Sequence, residues 1–117
     1  MSKVTKPFFV KKGWGAEYWI ANSELYCGKI LHVKDKKMCS MHFHLEKHET
    51  FHIVKGSIIM RLIHKDGSQE EFEMHKGDTL EVPRGLMHQF EGIGEADIME
   101  VSTQHFDSDS YRVSKGD

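Results

Sequence analysis

The sequence predicts an all-β protein with the double-sheet architecture of a jelly roll, and three observations support this fold class. Turn signals that contain Gly, Pro or Asp recur at short intervals along the chain. The segments between them are about four to eight residues long and rich in Ile, Val, Phe and Leu, as strands typically are. No segment combines a long helical repeat of apolar residues with capping residues at both ends.

Strand positions follow from these turn signals. Asp66-Gly67 lies between two strand-like runs and is a strong hairpin signal, because both residues suit tight two-residue turns. Pro83 indicates the end of a strand, since it has no N–H to donate to a neighbour. Further turns are expected at Lys55-Gly56 and in the segment EGIGEAD. We expect strands at 17–21, 28–34, 38–44, 49–55, 57–64, 69–75, 79–82, 87–91 and 96–102.

Length and composition favour one globular domain over residues 1–117, with a loosely held polar tail from about residue 106. Hydrophobic residues make up 38% and charged residues 29%, which argues against a disordered chain. The net charge of −2 predicts no basic face, so nucleic acid and anionic membranes are not expected as partners. Neither a signal peptide nor a membrane-spanning run is apparent. Two cysteines, Cys27 and Cys39, do not make a disulfide framework, and free thiols indicate a cytoplasmic protein.

Histidines are concentrated in the stretch MHFHLEKHETFHIVKG, which holds four of the nine in the chain. His42 and His44 alternate along a strand, so their side chains share one face. If Glu49 faces inward on the returning strand, Phe51 and Ile53 do as well, whereas His52 faces away. His88 follows the turn at Pro83 and Gly85, far along the chain.

This histidine pattern has two interpretations. Three imidazoles and one carboxylate suit a divalent metal such as Zn, Mn, Fe or Ni. Alternatively, these histidines are polar residues on a solvated face, because the spacing alone does not bring residues 42, 44, 49 and 88 together.

Two motifs resemble those of the cupin superfamily. HFHLEKHETFHIVKG resembles the first cupin motif, with matches at His42, His44, Glu49 and Gly56 within residues 42–56. GDTLEVPRGLMH resembles the second motif, which spans residues 77–92, with matches at Gly77, Pro83, Gly85 and His88. The Asn that usually ends the second motif is replaced by Gly92. The resemblance implies a double-stranded β-helix, or jelly-roll barrel, that holds a divalent metal through His42, His44, Glu49 and His88.

A narrower resemblance covers most of the chain. GWGAEYWI, GKILHV and the closing IMEVSTQHFDSDSYRV look like the C-terminal cupin domain of type II mannose-6-phosphate isomerases. Gly13 stands where that domain usually has Pro, and Gln89 where it often has Arg. The resemblance implies a sugar or sugar phosphate ligand and a metal-dependent aldose–ketose isomerase or epimerase. Such a reaction needs a base, for which Glu100, His52 and Glu46 are candidates.

Two other functions fit the same residues. A metal-dependent dioxygenase would use the three histidines and Glu49 to hold Fe(II). A non-catalytic sugar-binding module would bind its ligand without turnover. A homodimer is expected in each case, because small jelly rolls expose strand edges and apolar sheet faces.

Overall fold

The computed structural model describes residues 2–117, and its architecture is the all-β fold that the sequence predicts. Within that range there is no α-helix, only a 3₁₀ turn at Asp107–Asp109. The range also contains no helix with the length and hydropathy that a bilayer crossing requires. The strands are β1 (Phe8–Lys12), β2 (Gly15–Asn22), β3 (Cys27–Val33), β4 (Met41–Phe43), β5 (Glu49–Ile63), β6 (Gln69–His75), β7 (Thr79–Val82), β8 (Met87–Ser102) and β9 (Tyr111–Ser114).

The strands form a curled antiparallel sheet with two layers. One layer has the order β1-β2-β3-β8-β5-β7 and uses the end of β8 and the start of β5. The other has the order β9-β4-β8-β5-β6 and uses the start of β8 and the end of β5. Because β5 and β8 belong to both layers, they join the two halves of the jelly roll.

Gly56 marks the point at which β5 passes from one layer to the other. The pairing between β5 and β8 changes register on both sides of Lys55. Gly56 has a φ of 77°, and a Cβ there would lie 2.3 Å from the carbonyl oxygen of Glu95. Only glycine tolerates both the positive φ and this close approach.

The expected turns at Lys55-Gly56 and in residues 91–97 are therefore wrong. Strands 49–55 and 57–64 are one 15-residue strand, and 87–91 and 96–102 are one 16-residue strand. The irregularity at Gly56 reverses which residues of β5 face inward, from Phe51 and Ile53 to Ile58 and Met60. This reversal of an alternating pattern looks like a break between two strands when only the sequence is available.

The core lies between the two layers and is built from inward-facing apolar residues of β3, β5 and β8. Trp14, in the tight turn between β1 and β2, packs edge to face against Phe90 with ring centroids 5.0 Å apart. The fully buried side chains of this core include Val33, Phe51, Ile53, Ile58, Met60 and Ile98. They form a continuous contact cluster in the interior.

The tail departs from the prediction. Residues 111–114 form β9, which pairs with β4, so the expected loosely held tail is wrong. The backbone N–H of Asp117 donates to the carbonyl of Met38 over 2.9 Å. β1 is an additional strand, and the strand expected at 38–44 is confined to Met41–Phe43. Met38 lies outside β4 and forms an isolated β-bridge with Glu91.

Candidate metal centre

Three histidines converge in the interior, between the two layers. His42 lies on β4 directly opposite His88 on β8, and His44 follows β4 immediately. A ring nitrogen from each of the three lies within 4.8 Å of one from each of the others. The backbone N–H of Gly85 donates to the carbonyl oxygen of His44 over 2.7 Å, so the turn of the second motif is fastened to the first.

Backbone carbonyls orient all three imidazole rings. Nδ1 of His42 lies 2.9 Å from the carbonyl oxygen of Ser40, and Nδ1 of His88 lies 2.9 Å from that of Leu86. Nδ1 of His44 lies 3.0 Å from the carbonyl oxygen of Asp109. A carbonyl only accepts, so each Nδ1 must carry the proton. In the neutral rings the lone pairs are therefore on the Nε2 atoms, which is the tautomer that binds a metal through Nε2.

Burial keeps two of these rings neutral. Desolvation lowers the pKa of His42 to about 3, and the neighbouring His88 acts in the same direction. Desolvation likewise lowers the pKa of His44 to about 4, against the opposing influence of Glu49. At neutral pH both rings are therefore uncharged and available as ligands.

Glu49 begins β5 and faces the same interior, as the alternation of its strand predicts. Its Oε1 lies 2.9 Å from Nε2 of His88 and 3.8 Å from Nε2 of His44. In the neutral ring, Nε2 of His88 carries a lone pair and has no proton to donate to Glu49. Oε1 of Glu49 and Nε2 of His88 are thus buried without a hydrogen-bond partner among residues 2–117. Two orphaned electron-rich atoms beside two further imidazoles are the surroundings that a divalent cation relieves, so this donor set fits a metal.

The loop between His44 and Glu49 is held by a carboxylate from the tail. Asp109, in the 3₁₀ turn, accepts hydrogen bonds from the backbone N–H groups of Leu45, Glu46 and Lys47. Burial raises the pKa of Asp109, but these three bonds outweigh it and hold the pKa below its usual value. The same residue thus fixes both the loop and, through its carbonyl, the ring of His44.

Lys47 is a buried cation directly beside this cluster. Its Nζ lies 3.0 Å from Oε2 of Glu49, 3.0 Å from Oε2 of Glu100 and 3.2 Å from Nδ1 of His105. The contacts with Glu100 and His105 are hydrogen bonds, and the contact with Glu49 is an ion pair. Burial lowers the pKa of Lys47, but the two carboxylates outweigh it and raise that pKa, so the side chain stays charged.

Glu100 lies on β8, opposite Lys29 of β3, and both side chains face inward. The pKa of Glu100 is raised by desolvation and by the charge of Glu49, although Lys47 and Lys29 act in the opposite direction. Lys29 pairs with Glu17 over 3.3 Å and lies 4.1 Å from the ring centroid of Trp19. Acidic and basic side chains thus alternate across the inner face of the sheet, in the order Glu17, Lys29, Glu100, Lys47 and Glu49.

A cavity of about 870 Å³ opens onto these residues. Its walls include Phe8, Trp19, Lys29 and His105, and Arg112 lies on the side formed by the tail. A volume of this size accommodates a small metabolite, and the mixture of aromatic and charged side chains suits a polar one. The cavity therefore connects the candidate ligands with the Glu100–Lys47 pair.

The sequence-derived candidates lie in different places. His42, His44, Glu49 and His88 come together, and Glu100 lines the cavity. His52 lies on the opposite face of β5, where its Nδ1 is 2.8 Å from the hydroxyl of Thr79. Glu46 is exposed in the loop, and its carbonyl accepts a hydrogen bond from Arg84.

Sequence reasoning missed three residues of this region. Lys29 shares the parity of buried Leu31 on β3, so alternation was an available signal for it. Lys47 lies in the loop before β5, where alternation gives no signal. His105 lies outside both motifs, and its side chain is only 9% exposed. Its ring packs edge-on against Trp19, and no sequence pattern indicates this contact.

Residues 29–114, most of the chain, match the sequence model of the family described as Cupin. The chain belongs to the cupin family. No curated protein matches its sequence. The family membership and the three converging histidines together indicate a divalent metal site in this cupin.

Solved structures share the fold at low sequence identity. The capsular polysaccharide assembling protein CapF from Staphylococcus aureus superposes with a TM-score of 0.83 at 18% identity, over 95% of this cupin and 32% of that chain. CapF with the inhibitor 3-isopropenyl-tropolone gives a TM-score of 0.81 at 19% identity, over 92% and 34%. Oxalate decarboxylase from Bacillus subtilis gives a TM-score of 0.79 at 16% identity, over 97% and 33%. This chain spans about a third of the length of these proteins.

Proposed function

We propose that this cupin is a metal-dependent isomerase that interconverts an aldose and a ketose, with a divalent metal held by His42, His44, Glu49 and His88. The observation that carries the proposal is that His42, His44 and Glu49 line one cavity with a buried acid–base pair, Glu100 and Lys47. His88 lies directly behind Glu49, with its Nε2 2.9 Å from Oε1. Metal ligands and a proton-transfer group in one pocket are the two components that this reaction class requires.

The metal and the protein have separate tasks. A bound divalent ion supplies Lewis-acid polarisation of two adjacent sugar oxygens. Glu49 is positioned for this by Lys47, which contacts Oε2 and leaves Oε1 directed at the histidines. Zn, Mn, Fe and Ni all suit three imidazoles and a carboxylate, so elemental analysis of protein purified without added metal is the measurement that identifies the ion.

Glu100 is the base in this proposal. Its carboxylate removes the proton from C2 of the aldose, and the electron pair of the broken C–H bond forms a C1–C2 double bond. The π electron pair of the C1 carbonyl moves to O1 at the same time. Return of the proton to C1 and re-formation of a carbonyl at C2 complete the ketose, with the hydroxyl proton passing from O2 to O1. Lys47 lies between the carboxylates of Glu100 and Glu49 and contacts each over 3.0 Å.

The substrate class is a small sugar or sugar phosphate. The cavity is large enough for a hexose phosphate, and its walls offer both aromatic and charged side chains. Arg112 and Lys115 line the cavity on the tail side, where a guanidinium and an ammonium suit a phosphate. The resemblance to the cupin domain of type II mannose-6-phosphate isomerases supports this choice. Cys27 and Cys39 are both buried free thiols, which agrees with activity in a reducing cytoplasm.

Deuterium uptake tests the reaction directly. Protein loaded separately with each of the four metals is incubated in D₂O with mannose 6-phosphate, other aldose phosphates and the free sugars. NMR is expected to show deuterium at C2 of at least one sugar, together with its ketose. Glu100→Gln should lower the rate at least about 100-fold, because an amide cannot accept the proton. Glu73→Gln, on exposed β6, is the matched control and should retain the rate.

Other outcomes point to other functions. Absence of exchange with every sugar, in protein that holds metal, contradicts the proposal. Calorimetric binding of a sugar without exchange would indicate a sugar-binding module. Oxygen consumption by the Fe(II)-loaded protein with small thiols or catechols would indicate a dioxygenase.

A further inference from the structure

The outer face of the layer β1-β2-β3-β8-β5-β7 carries exposed apolar side chains, although its inner face already lines the cavity and the core. The exposed fractions are 53% for Phe9, 40% for Tyr18 and 50% for Val101. Isolated apolar residues on a surface need no explanation, but a contiguous group indicates a contact surface. The members of this group, here called the outer stripe, are Phe9, Tyr18, Ile20, Ile30, Met99 and Val101.

Strand register makes the outer stripe continuous. Phe9 pairs with Tyr18, Tyr18 with Ile30, and Ile30 with Met99, so one row crosses four neighbouring strands. The rings of Phe9 and Tyr18 are in contact, with centroids 5.3 Å apart. Side chains in register on adjacent strands lie about 5 Å apart, so the row has no gap that a water layer would fill.

Charged groups of both signs border the outer stripe on one side. In the neighbouring row His32 lies opposite Asp97, with Nδ1 of His32 2.7 Å from Oδ1 of Asp97. Glu95 contacts the other ring nitrogen of His32, and Lys55 on β5 is paired with Asp97 on β8. An apolar centre with a polar margin is the composition of a protein–protein interface.

We propose that the outer stripe is the interface of a symmetric homodimer, in which it packs against the same stripe of a second copy. A two-fold axis through the centre of the outer stripe brings the apolar residues of one copy against those of the other. The polar margin carries charges of both signs, so the margins of the two copies do not repel each other as surfaces of a single sign would. The net charge of −2 is small enough not to oppose self-association. The proposal is independent of the isomerase function, because the cavity lies on the other side of the same layer.

The available area suits a second copy of this chain. Five of the six side chains are 38–59% exposed and Ile30 is partly buried, so together they offer roughly 500 Å² of apolar surface. A stable interface of standard size needs about 800 Å² from each partner, and the polar margin supplies the remainder.

Gly28 offers a direct way to test this surface. It lies in register with Val101 on the outer face, and a Cβ added there meets nothing within 4 Å. A side chain at this position therefore enters open space in one chain but enters the interface in the proposed dimer. Gly28→Glu introduces a charge into the outer stripe without a steric conflict within its own chain.

The experiment measures molar mass by sedimentation equilibrium over a range of concentrations. The unmodified protein is expected to have the mass of two chains. Gly28→Glu and Val101→Glu should each raise the dissociation constant at least about 100-fold, because each places an unpaired charge in an apolar interface. Val113→Glu is the matched control: Val113 is 51% exposed on β9, away from the outer stripe, and its substitution should leave the mass unchanged.

Metal content and circular dichroism of each variant show whether it is folded. A monomeric unmodified protein overturns the proposal. So does a dimer that survives both Gly28→Glu and Val101→Glu in folded protein, or one that Val113→Glu disrupts equally. If one stripe variant does not fold, the other decides the result.

Discussion

Nε2 of His88 lies 2.9 Å from Oε1 of Glu49, and both atoms are shielded from solvent. The Nδ1 of His88 donates to the carbonyl of Leu86, so in the neutral ring Nε2 presents a lone pair to a carboxylate oxygen. Two buried electron-rich atoms at this distance repel each other, and a divalent cation bound by both would remove that cost.

Removal of one imidazole is therefore expected to abolish tight metal binding. His88→Ala or His44→Ala should lower the affinity for Zn at least about 100-fold, because a tetrahedral or five-coordinate site loses one of its few ligands. Competition with a chromogenic chelator measures this affinity. His75→Ala, on the exposed end of β6, is the control and should bind as the unmodified protein does. Equal affinity of the His88 and His75 variants would contradict the assigned ligand set.

Lys47 is expected to stabilise the ion-free fold. Lys47→Met leaves the buried carboxylates of Glu49 and Glu100 side by side without their shared cation. Loss of one partner from a buried ion pair costs about 3–5 kcal/mol, so the urea midpoint should fall accordingly. Urea titrations in the presence of a chelator exclude stabilisation by metal.

The double variant Lys47→Met with Glu100→Gln separates charge from packing. The second substitution removes one of the two facing charges and should restore part of the lost free energy of unfolding, which a double-mutant cycle reports as coupling. Strictly additive effects would show that Lys47 acts through its methylene groups and not through its charge.

The sequence predicts most of this fold because alternation and turn chemistry are local. The strand of Glu49, Phe51 and Ile53, with His52 facing away, follows from a period of two and is confirmed. At Gly56, local signals fail, because a bulge and a hairpin turn both use a glycine with positive φ. The second motif ends in Gly92 for a reason that only the structure reveals, since a Cβ there would lie 2.4 Å from the carbonyl oxygen of Lys34.

The site is predictable only in part, for a similar reason. The two motifs identify the four candidate ligands, but the groups that orient them come from segments without a pattern. Asp109 and His105 lie in the polar tail, and they reach the centre through contacts of 3.0 and 3.2 Å with residues more than 50 positions away. A single sequence contains no periodic signal for such contacts.

Asp109 is expected to matter for both folding and metal affinity. Asp109→Ala leaves the N–H groups of Leu45, Glu46 and Lys47 without their acceptor, which should destabilise the protein by about 2–4 kcal/mol. The ring of His44 also loses its fixed orientation if the turn shifts, so Zn affinity should fall about 10–100-fold.

Chemical denaturation and chelator competition measure these two effects. Asp66→Ala, in the exposed hairpin turn, is the matched control and should change neither quantity by a comparable amount. Unchanged stability of Asp109→Ala would show that solvent replaces the carboxylate at these three N–H groups.

The pair His32–Asp97 is expected to give the protein a pH-dependent stability away from the metal centre. The hydrogen bond from His32 to Asp97 raises the pKa of His32, with a smaller contribution from Glu95 in the same direction. Because the folded pKa of His32 lies above the unfolded one, the stabilisation from this pair is fully present below the unfolded pKa. It disappears as pH rises through the folded pKa.

Asp97→Asn should therefore lower the free energy of unfolding more at about pH 5.5 than at about pH 9. NMR titration of the imidazole should also show a lower pKa of His32 in Asp97→Asn. An equal loss of stability at both pH values would mean that the contact contributes through packing alone.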